Sequence, residues 1–264
     1  MKFYHSKLLN SASNVTHAFT TRHSGNLAFH VNDNPRHVQM NHERLAKELG
    51  YKKESLIYMK QIHSNLVHIV NDEDNFLMCP SEATNTLGVP RSCDALITDK
   101  ADTPLMVMAA DCAPLLFYDQ RQKVIAVAHA GREGTFKNIV GNVCERMACG
   151  FDSKPEDISV SIGANIGVCC YEVGGEIYEE AKALQLEYAV QKKDKRYYLD
   201  INKIIKTQLL ACGIKEEKIE FCDECTCCKK DKYFSYRAEK TTGRFCGVII
   251  LKVFQTQPQE RAYF

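Results

Sequence analysis

Four short apolar runs crowd into the stretch from Ala95 to Ala128: Ala95–Thr98, Leu105–Ala109, Leu115–Tyr118 and Val124–Ala128. Runs of this length with turn residues close by are strands rather than helices. Further strand-like runs are Thr16–Thr21, Leu56–Lys60, Leu66–Val70, Ile158–Ile162 and Gly247–Val253. Helices are fewer. Asn34-Pro35 starts one over Arg36–Leu49, and Gly50 stops it. Gly134–Ala148 and Gly174–Leu184 read as two more, and Asp200 caps a fourth that runs to Cys212. Strands that outnumber helices and cluster in runs favour an α+β fold of layered, mixed β-sheets over a regular βαβ alternation. No repeat, low-complexity tract or linker interrupts the chain, so one domain over residues 1–264 is expected. The least regular stretch, Asn71–Ser92, reads as a long loop of the kind that serves as a lid.

Charge and hydropathy narrow the function. With 34 Lys and Arg against 33 Asp and Glu, no net field draws the chain to nucleic acid or an anionic membrane. No apolar run approaches the ~20 residues that span a bilayer. The first residues are too polar for the core of a secretory signal, so the cytoplasm is the expected compartment. Thirteen cysteines fit that compartment as core residues, metal ligands or nucleophiles. An odd number in a long chain does not suit a disulfide framework.

All nine histidines lie at or before position 129. His129 ends the run VIAVAHAG and precedes a glycine turn into a helix, a place where ligands and anions bind. His63 stands in Gln61-Ile62-His63, and Cys112 in Ala110-Asp111-Cys112 between two apolar strands. An Asp there is costly unless it is paired. One hairpin separates Cys112 from His129, and its antiparallel return brings both to the same end. Cys with His forms either a zinc site or a nucleophile–base pair. With His63 as a third ligand and one position open, the set has the form of a catalytic zinc site. Arg22, Arg237 and Arg244 are candidate partners for phosphate or ribose oxygens. Tyr171 and Glu172 offer a stacking ring and an acceptor. Asp94 is a candidate to orient a ligand or to act as a base. The run Cys222, Cys225, Cys227 and Cys228 looks like a zinc knuckle, although no distant second pair completes it. The zinc nucleotide-deaminase signature, His-x-Glu with Pro-Cys-x-x-Cys, is absent.

The chain resembles the laccase-domain proteins. The resemblance runs through FTTRHSG (19–25), ERLAKELG (43–50), QIHS (61–64), CDALITD (93–99), AADCAPLLFYD (109–119), AHAG (128–131), SIGANIGVCCYEVGGEI (161–177), LDI (199–201), CT (225–226) and YFSYRAEKTTGR (233–244). It implies a four-layer α/β/β/α sandwich and His63, Cys112 and His129 as metal ligands. It also implies a zinc-dependent enzyme of purine nucleosides, which cleaves adenosine or inosine with phosphate and deaminates adenosine. The family carries the older name polyphenol oxidase, which implies copper, and one bacterial branch is called peptidoglycan editing factor. A metal-free amidase or hydrolase with Cys112 as nucleophile is therefore the alternative reading. Copper oxidase chemistry ranks below it, because multi-copper sites need many more histidines. A metal-stabilised interaction domain is a fourth reading. The family string His-Ala-Gly-Trp-Arg-Gly reads here His129-Ala130-Gly131-Arg132-Glu133-Gly134. Glu133 replaces the usual Arg, and a carboxylate beside His129 is expected to weaken phosphate binding. Ala164-Asn165 stands where a Gly-Pro loop is common. The sequence carries no signal of oligomeric state.

Overall fold

The computed structural model describes residues 1–70 and 91–252. Two sheets lie face to face. One has five strands in the order Phe3–Tyr4, Val15–Thr20, Phe245–Leu251, Leu105–Ala109 and Ile57–Tyr58. The other has six, in the order Ile219–Phe221, Ile158–Ile162, Ala113–Asp119, Val124–Ala130, Ala95–Thr98 and Val67–Ile69. Both are mixed. Their middle pairs are antiparallel, and parallel pairs add Ile57–Tyr58, Val67–Ile69 and Ile219–Phe221 at the edges.

Alternation along each strand sets the layers. Leu96, Leu116, Ile125 and Val127 meet Phe19, Leu105, Val107 and Ile249 between the sheets. Their sequence neighbours Ile97, Leu115, Phe117 and Ala126 face outward, under Val143 and Met147 of the helix Ile139–Phe151 and Ile204 and Leu209 of the helix Ile201–Ala211. On the opposite flank Met106, Val248 and Ile250 meet Leu45 and Leu49 of the helix Pro35–Leu49. The result is a helix/sheet/sheet/helix stack. The central strands are covered on both faces, which is why they read as unbroken apolar runs. Each large aliphatic side chain buried there contributes about 1.5–3 kcal/mol. Among the described residues no helix is long and apolar enough to cross a membrane.

Several expectations shift. The helix expected over Gly134–Ala148 is two helices, Arg132–Phe136 and Ile139–Phe151. Asn138 breaks them: it adopts left-handed backbone (φ 59°), and its side chain accepts from Gly141 N at 3.2 Å. Asn tolerates that conformation and caps well. The run Leu56–Lys60 pairs as a strand only at Ile57–Tyr58, and the last strand is Phe245–Leu251. A third sheet, made of Glu172–Val173, Arg196–Leu199 and Val190–Lys193, has no apolar run to announce it. The loop expected over Asn71–Ser92 lies, from 71 to 90, outside the described residues.

Candidate active site

The period of two places His129 on the same face as Ile125 and Val127, the face between the sheets. The hairpin register sets Pro114 opposite His129, so Cys112 arrives at the strand end where His129 lies. His63 comes from the turn after Ile57–Tyr58 and has left-handed backbone (φ 58°). A non-glycine residue held there costs of order 1–3 kcal/mol, a strain that collects at functional sites.

Asp94 holds this geometry. Its Oδ1 accepts from His63 N at 3.1 Å, and its Oδ2 accepts from Ile62 N at 3.2 Å, Ser64 N at 2.6 Å and Ser64 Oγ at 2.7 Å. The same carboxylate lies 2.9 Å from His129 Nδ1. That bond leaves Nε2 of His129 to face Cys112. Gln61 adds a second brace. Its side-chain amide donates to Met108 O at 2.8 Å and accepts from Met108 N at 2.9 Å, as a neighbouring strand would. Asp111, with φ 92°, finds the partners its burial demands. It accepts from Thr226 Oγ1 and from Arg237 N, both at 2.6 Å.

The ligand atoms of His63, Cys112 and His129 all lie within 4.8 Å of one another, and the two imidazoles meet edge-on at 4.9 Å. Burial alone would push the Cys112 thiol up, but His129 and His63 outweigh it and hold it down to about 6. Burial would likewise lower His129, and Cys112 and Asp94 instead lift it to about 9. Burial works against the Asp94 carboxylate too, and the bonds from His129 and Ser64 hold it below its usual range. Gly131 closes the backbone side. A Cβ there would come within 2.8 Å of Cys112 Sγ and 3.2 Å of His63 Cδ2. Two imidazoles and a low-pKa thiol form a donor set that can hold a divalent metal ion, and three protein ligands leave a position open.

That position faces a cavity of about 800 Å³. Rings of Phe29, Tyr58, Tyr171 and Tyr236 line it, with the guanidinium groups of Arg132, Arg237 and Arg244. Arg237 lies over the Tyr171 ring at 5.2 Å, and its Nη1 donates to Cys170 O at 3.2 Å and Glu172 O at 2.9 Å. Nη1 of Arg244 donates to Thr242 O at 2.9 Å and Gly243 O at 3.0 Å. Burial pushes the Tyr171 hydroxyl up to about 12.

Two of the expected binding residues sit elsewhere. Arg22 pairs with Glu239 at 2.5 Å and lies over the Phe234 ring, outside the cavity lining. The Glu172 carboxylate turns to Arg196 at 3.3 Å, and only its backbone carbonyl serves the site, through Arg237. Glu133, expected to oppose phosphate, also lies outside the cavity lining. It is half exposed and pairs with Arg132 at 3.3 Å and Lys137 at 3.4 Å. Arg132 lines the cavity instead. The cysteine run does not close on itself either. Cys222 lies 3.8 Å from Tyr233 Oη, whereas Cys225 and Cys228 meet Cys169 and Cys170. Gln61, Asp111 and Arg132 were not singled out as site residues from the sequence. The one signal was Asp111, a carboxylate stranded in an apolar run.

Fold and site define a protein of layered mixed sheets with a His–Cys–His group, able to hold a metal, in the wall of a strand-end cavity. The chain belongs to the multi-copper polyphenol oxidoreductase laccase family, whose model matches residues 13–252. It is 34% identical over 247 residues to a Corynebacterium glutamicum protein named purine nucleoside phosphorylase, covering 90% of this chain and 94% of that one. It is 32% identical over 229 residues to purine nucleoside phosphorylase YfiH of Escherichia coli, covering 86% of each. Among solved structures it superposes on YlmD from Geobacillus stearothermophilus with a TM-score of 0.85, at 28% identity over 94% of both chains. A Bacillus licheniformis protein described as hypothetical protein YfiH gives 0.83, at 30% identity over 92% of this chain and 94% of that one.

Proposed function

We propose that this chain is a zinc-dependent enzyme of purine nucleosides, which cleaves inosine and adenosine with phosphate and deaminates adenosine in the same cavity. The observation that carries this reading is the company the three ligands keep. One cavity joins His63, Cys112 and His129 to four aromatic rings and three guanidinium groups. A purine stacks on rings, and ribose and phosphate oxygens pair with guanidinium. The names of the relatives agree with it.

His63, Cys112 and His129 would hold the ion. When bound, a divalent ion with one open position supplies a Lewis acid and a water activated near neutral pH. Asp94 keeps His129 turned with Nε2 toward the ligand cluster. Tyr171, fixed under Arg237, is a wall for the base. Arg132, Arg237 and Arg244 line the cavity as candidate partners for an anion, Arg132 while pairing with Glu180 at 2.6 Å. In phosphorolysis a phosphate oxygen bonds to C1′ as the C1′–N9 bond breaks, giving ribose 1-phosphate and the free base. In deamination water adds at C6 and ammonia leaves, giving inosine. Zinc suits this centre better than copper oxidase chemistry. The other metal-capable group among the described residues is all cysteine, with no histidine-rich copper site. Twelve cysteines among the described residues, none of them in a disulfide, suit a reducing, cytoplasmic setting.

Cys112, His129 and Asp94 also line up as nucleophile, base and orienting carboxylate. This favours a second reading, a cysteine hydrolase that cleaves amides of peptidoglycan precursors. One experiment separates the two. The protein is stripped with a chelator and reloaded with zinc. Hypoxanthine release from inosine with and without phosphate, and ammonia release from adenosine, are then measured. The first reading expects both activities to vanish on stripping and return with zinc, with cleavage requiring phosphate. A zinc-loaded protein that turns over neither nucleoside refutes it. Amide cleavage that survives stripping and stops on thiol alkylation establishes the second.

A further inference from the structure

We propose that Cys169, Cys170, Cys225 and Cys228 form a second metal centre, a closed tetrathiolate that holds one zinc-class divalent ion and fastens a wall of the cavity. It shares no residue with the His63, Cys112 and His129 group and does not depend on what that group does.

The sheet brings the two cysteine pairs together. Ile219–Phe221 pairs parallel to Ile158–Ile162, so the loops that follow the two strands leave the sheet at the same end. Asn165 and Cys225 then form a bridge, and Thr226 N donates to Asn165 O at 3.0 Å. The first loop carries Cys169-Cys170 and the second carries a Cys-x-x-Cys, Cys225 to Cys228. Two ligands from each of two anchored loops is the layout of a structural zinc site.

Sulfur spacing supports an ion over a disulfide. All four Sγ atoms lie within 4.8 Å of one another. Cys228 Sγ is 3.5 Å from Cys169 Sγ and 3.4 Å from Cys170 Sγ. A disulfide would need about 2.05 Å. A tetrahedron with metal–sulfur bonds of about 2.3 Å has edges of about 3.8 Å. The sulfurs are also too close to embrace a cluster of several irons. Four thiolates without a nitrogen or oxygen donor select a soft or borderline ion and leave no open position. The backbone has made room for them. Gly167 N donates to Cys225 Sγ at 3.2 Å, and a Cβ on Gly167 would press to 3.3 Å from Cys169 Sγ and Cys225 Cβ.

The centre is tied to the cavity at three points. Tyr171 N donates to Gly167 O at 3.0 Å, Arg237 Nη1 donates to Cys170 O, and Thr226 Oγ1 donates to Asp111 beside Cys112. An ion that locks the two loops therefore fixes the Tyr171 wall.

The test counts ions on the full chain, purified under reductant, saturated with zinc and freed of excess. The wild type is expected to hold two equivalents, and Cys112→Ala and the double variant C169S/C228S one each. Cobalt gives a second readout that does not rely on the double variant's folding. With Cys112 replaced by Ala, a strong thiolate-to-cobalt absorption is expected from the four clustered thiolates. Loss of that band on adding C169S/C228S assigns it to them. A wild type that holds no more zinc than the C169S/C228S protein overturns the proposal. So does a cobalt-treated Cys112→Ala protein without the band, or a disulfide mapped within the four cysteines of the reduced preparation.

Discussion

The molecule gathers metal-capable side chains in two places, and they are built on opposite plans. His63, Cys112 and His129 stand at strand ends, behind a fully buried carboxylate, with two strained residues, His63 and Asp111, in the turns that carry them. Their fourth side is a cavity. Cys169, Cys170, Cys225 and Cys228 sit on two surface loops, two of them exposed, and their donor set is already complete. An incomplete donor set with rigid support is suited to chemistry, and a complete one to holding chain segments together. Rigidity is therefore invested where a reacting atom has to be placed to within a fraction of an ångström.

The most severe way to break this contrast is to remove one sulfur from each place. Cys112→Ala is expected to abolish nucleoside turnover and to release that site's ion with it, because a ligand and a balancing negative charge are both lost. A variant that keeps its full metal complement and loses activity makes Cys112 a nucleophile instead. C169S/C228S is expected to lower the thermal midpoint and raise KM while turnover at saturation persists. Next in size is Asp94→Asn. Weakening the carboxylate behind His129 should lower metal affinity roughly 10–100-fold. Excess zinc should restore turnover, as read by activity against free-zinc titration. An unchanged midpoint would mean that Asp94 supports the fold only.

Acid stripping of the two centres is bounded by the fold itself. Burial, with His5 close by, holds the His17 ring down to about 4, and its Nε2 accepts from Ser6 N at 2.9 Å. Unfolded His17 takes up its proton near pH 6.5. Between the two values the unfolded chain binds the extra proton. The share of stability that His17 carries is thus full above pH 6.5 and falls as the pH drops toward 4, by about 3 kcal/mol in all. Urea midpoints from pH 7.5 to 4.5 should show this slope, and His17→Asn should flatten it. The smallest effect is expected at the rim of the open site. Glu133→Arg disturbs only exposed ion pairs, worth about 0–1 kcal/mol. It should change the phosphate dependence of inosine cleavage by less than about twofold. A larger gain would return Glu133 to the phosphate site.

The same contrast explains what the sequence made legible. Cys112 and His129 flank one hairpin of unbroken apolar strands, so local alternation and turn placement are enough to join them. Cys170 and Cys225 meet only because Ile219–Phe221 pairs beside Ile158–Ile162, and three residues give no run to read. The hairpin Val190–Lys193 with Arg196–Leu199 escaped notice for a related reason. Its first strand is mostly exposed and polar, and the second buries only Leu199 fully, so burial leaves little mark on them. Glu133 and not Arg132 drew the expectation because the two open a helix, where adjacent side chains diverge by about 100°. Knowing that one of two neighbours faces a cavity says little about the other. Arg22 and Glu172 show the same limit: proximity along the chain fixed their neighbourhood and not their direction.

The bonds from Asp94 to the 62–64 turn and to His129 have a practical consequence. They use no ion, so the fold itself holds the 62–64 turn and the His129 ring, two of the three ligands, whichever ion is bound. Nitrogen and sulfur donors follow the general order in which copper outcompetes zinc. A site prepared in this way fills according to what the surrounding medium supplies. A sample grown with copper and one grown with zinc would then differ in the ion and not in the fold. Buffering the free ion during growth and purification, and not the choice of variant, would decide which chemistry a sample displays.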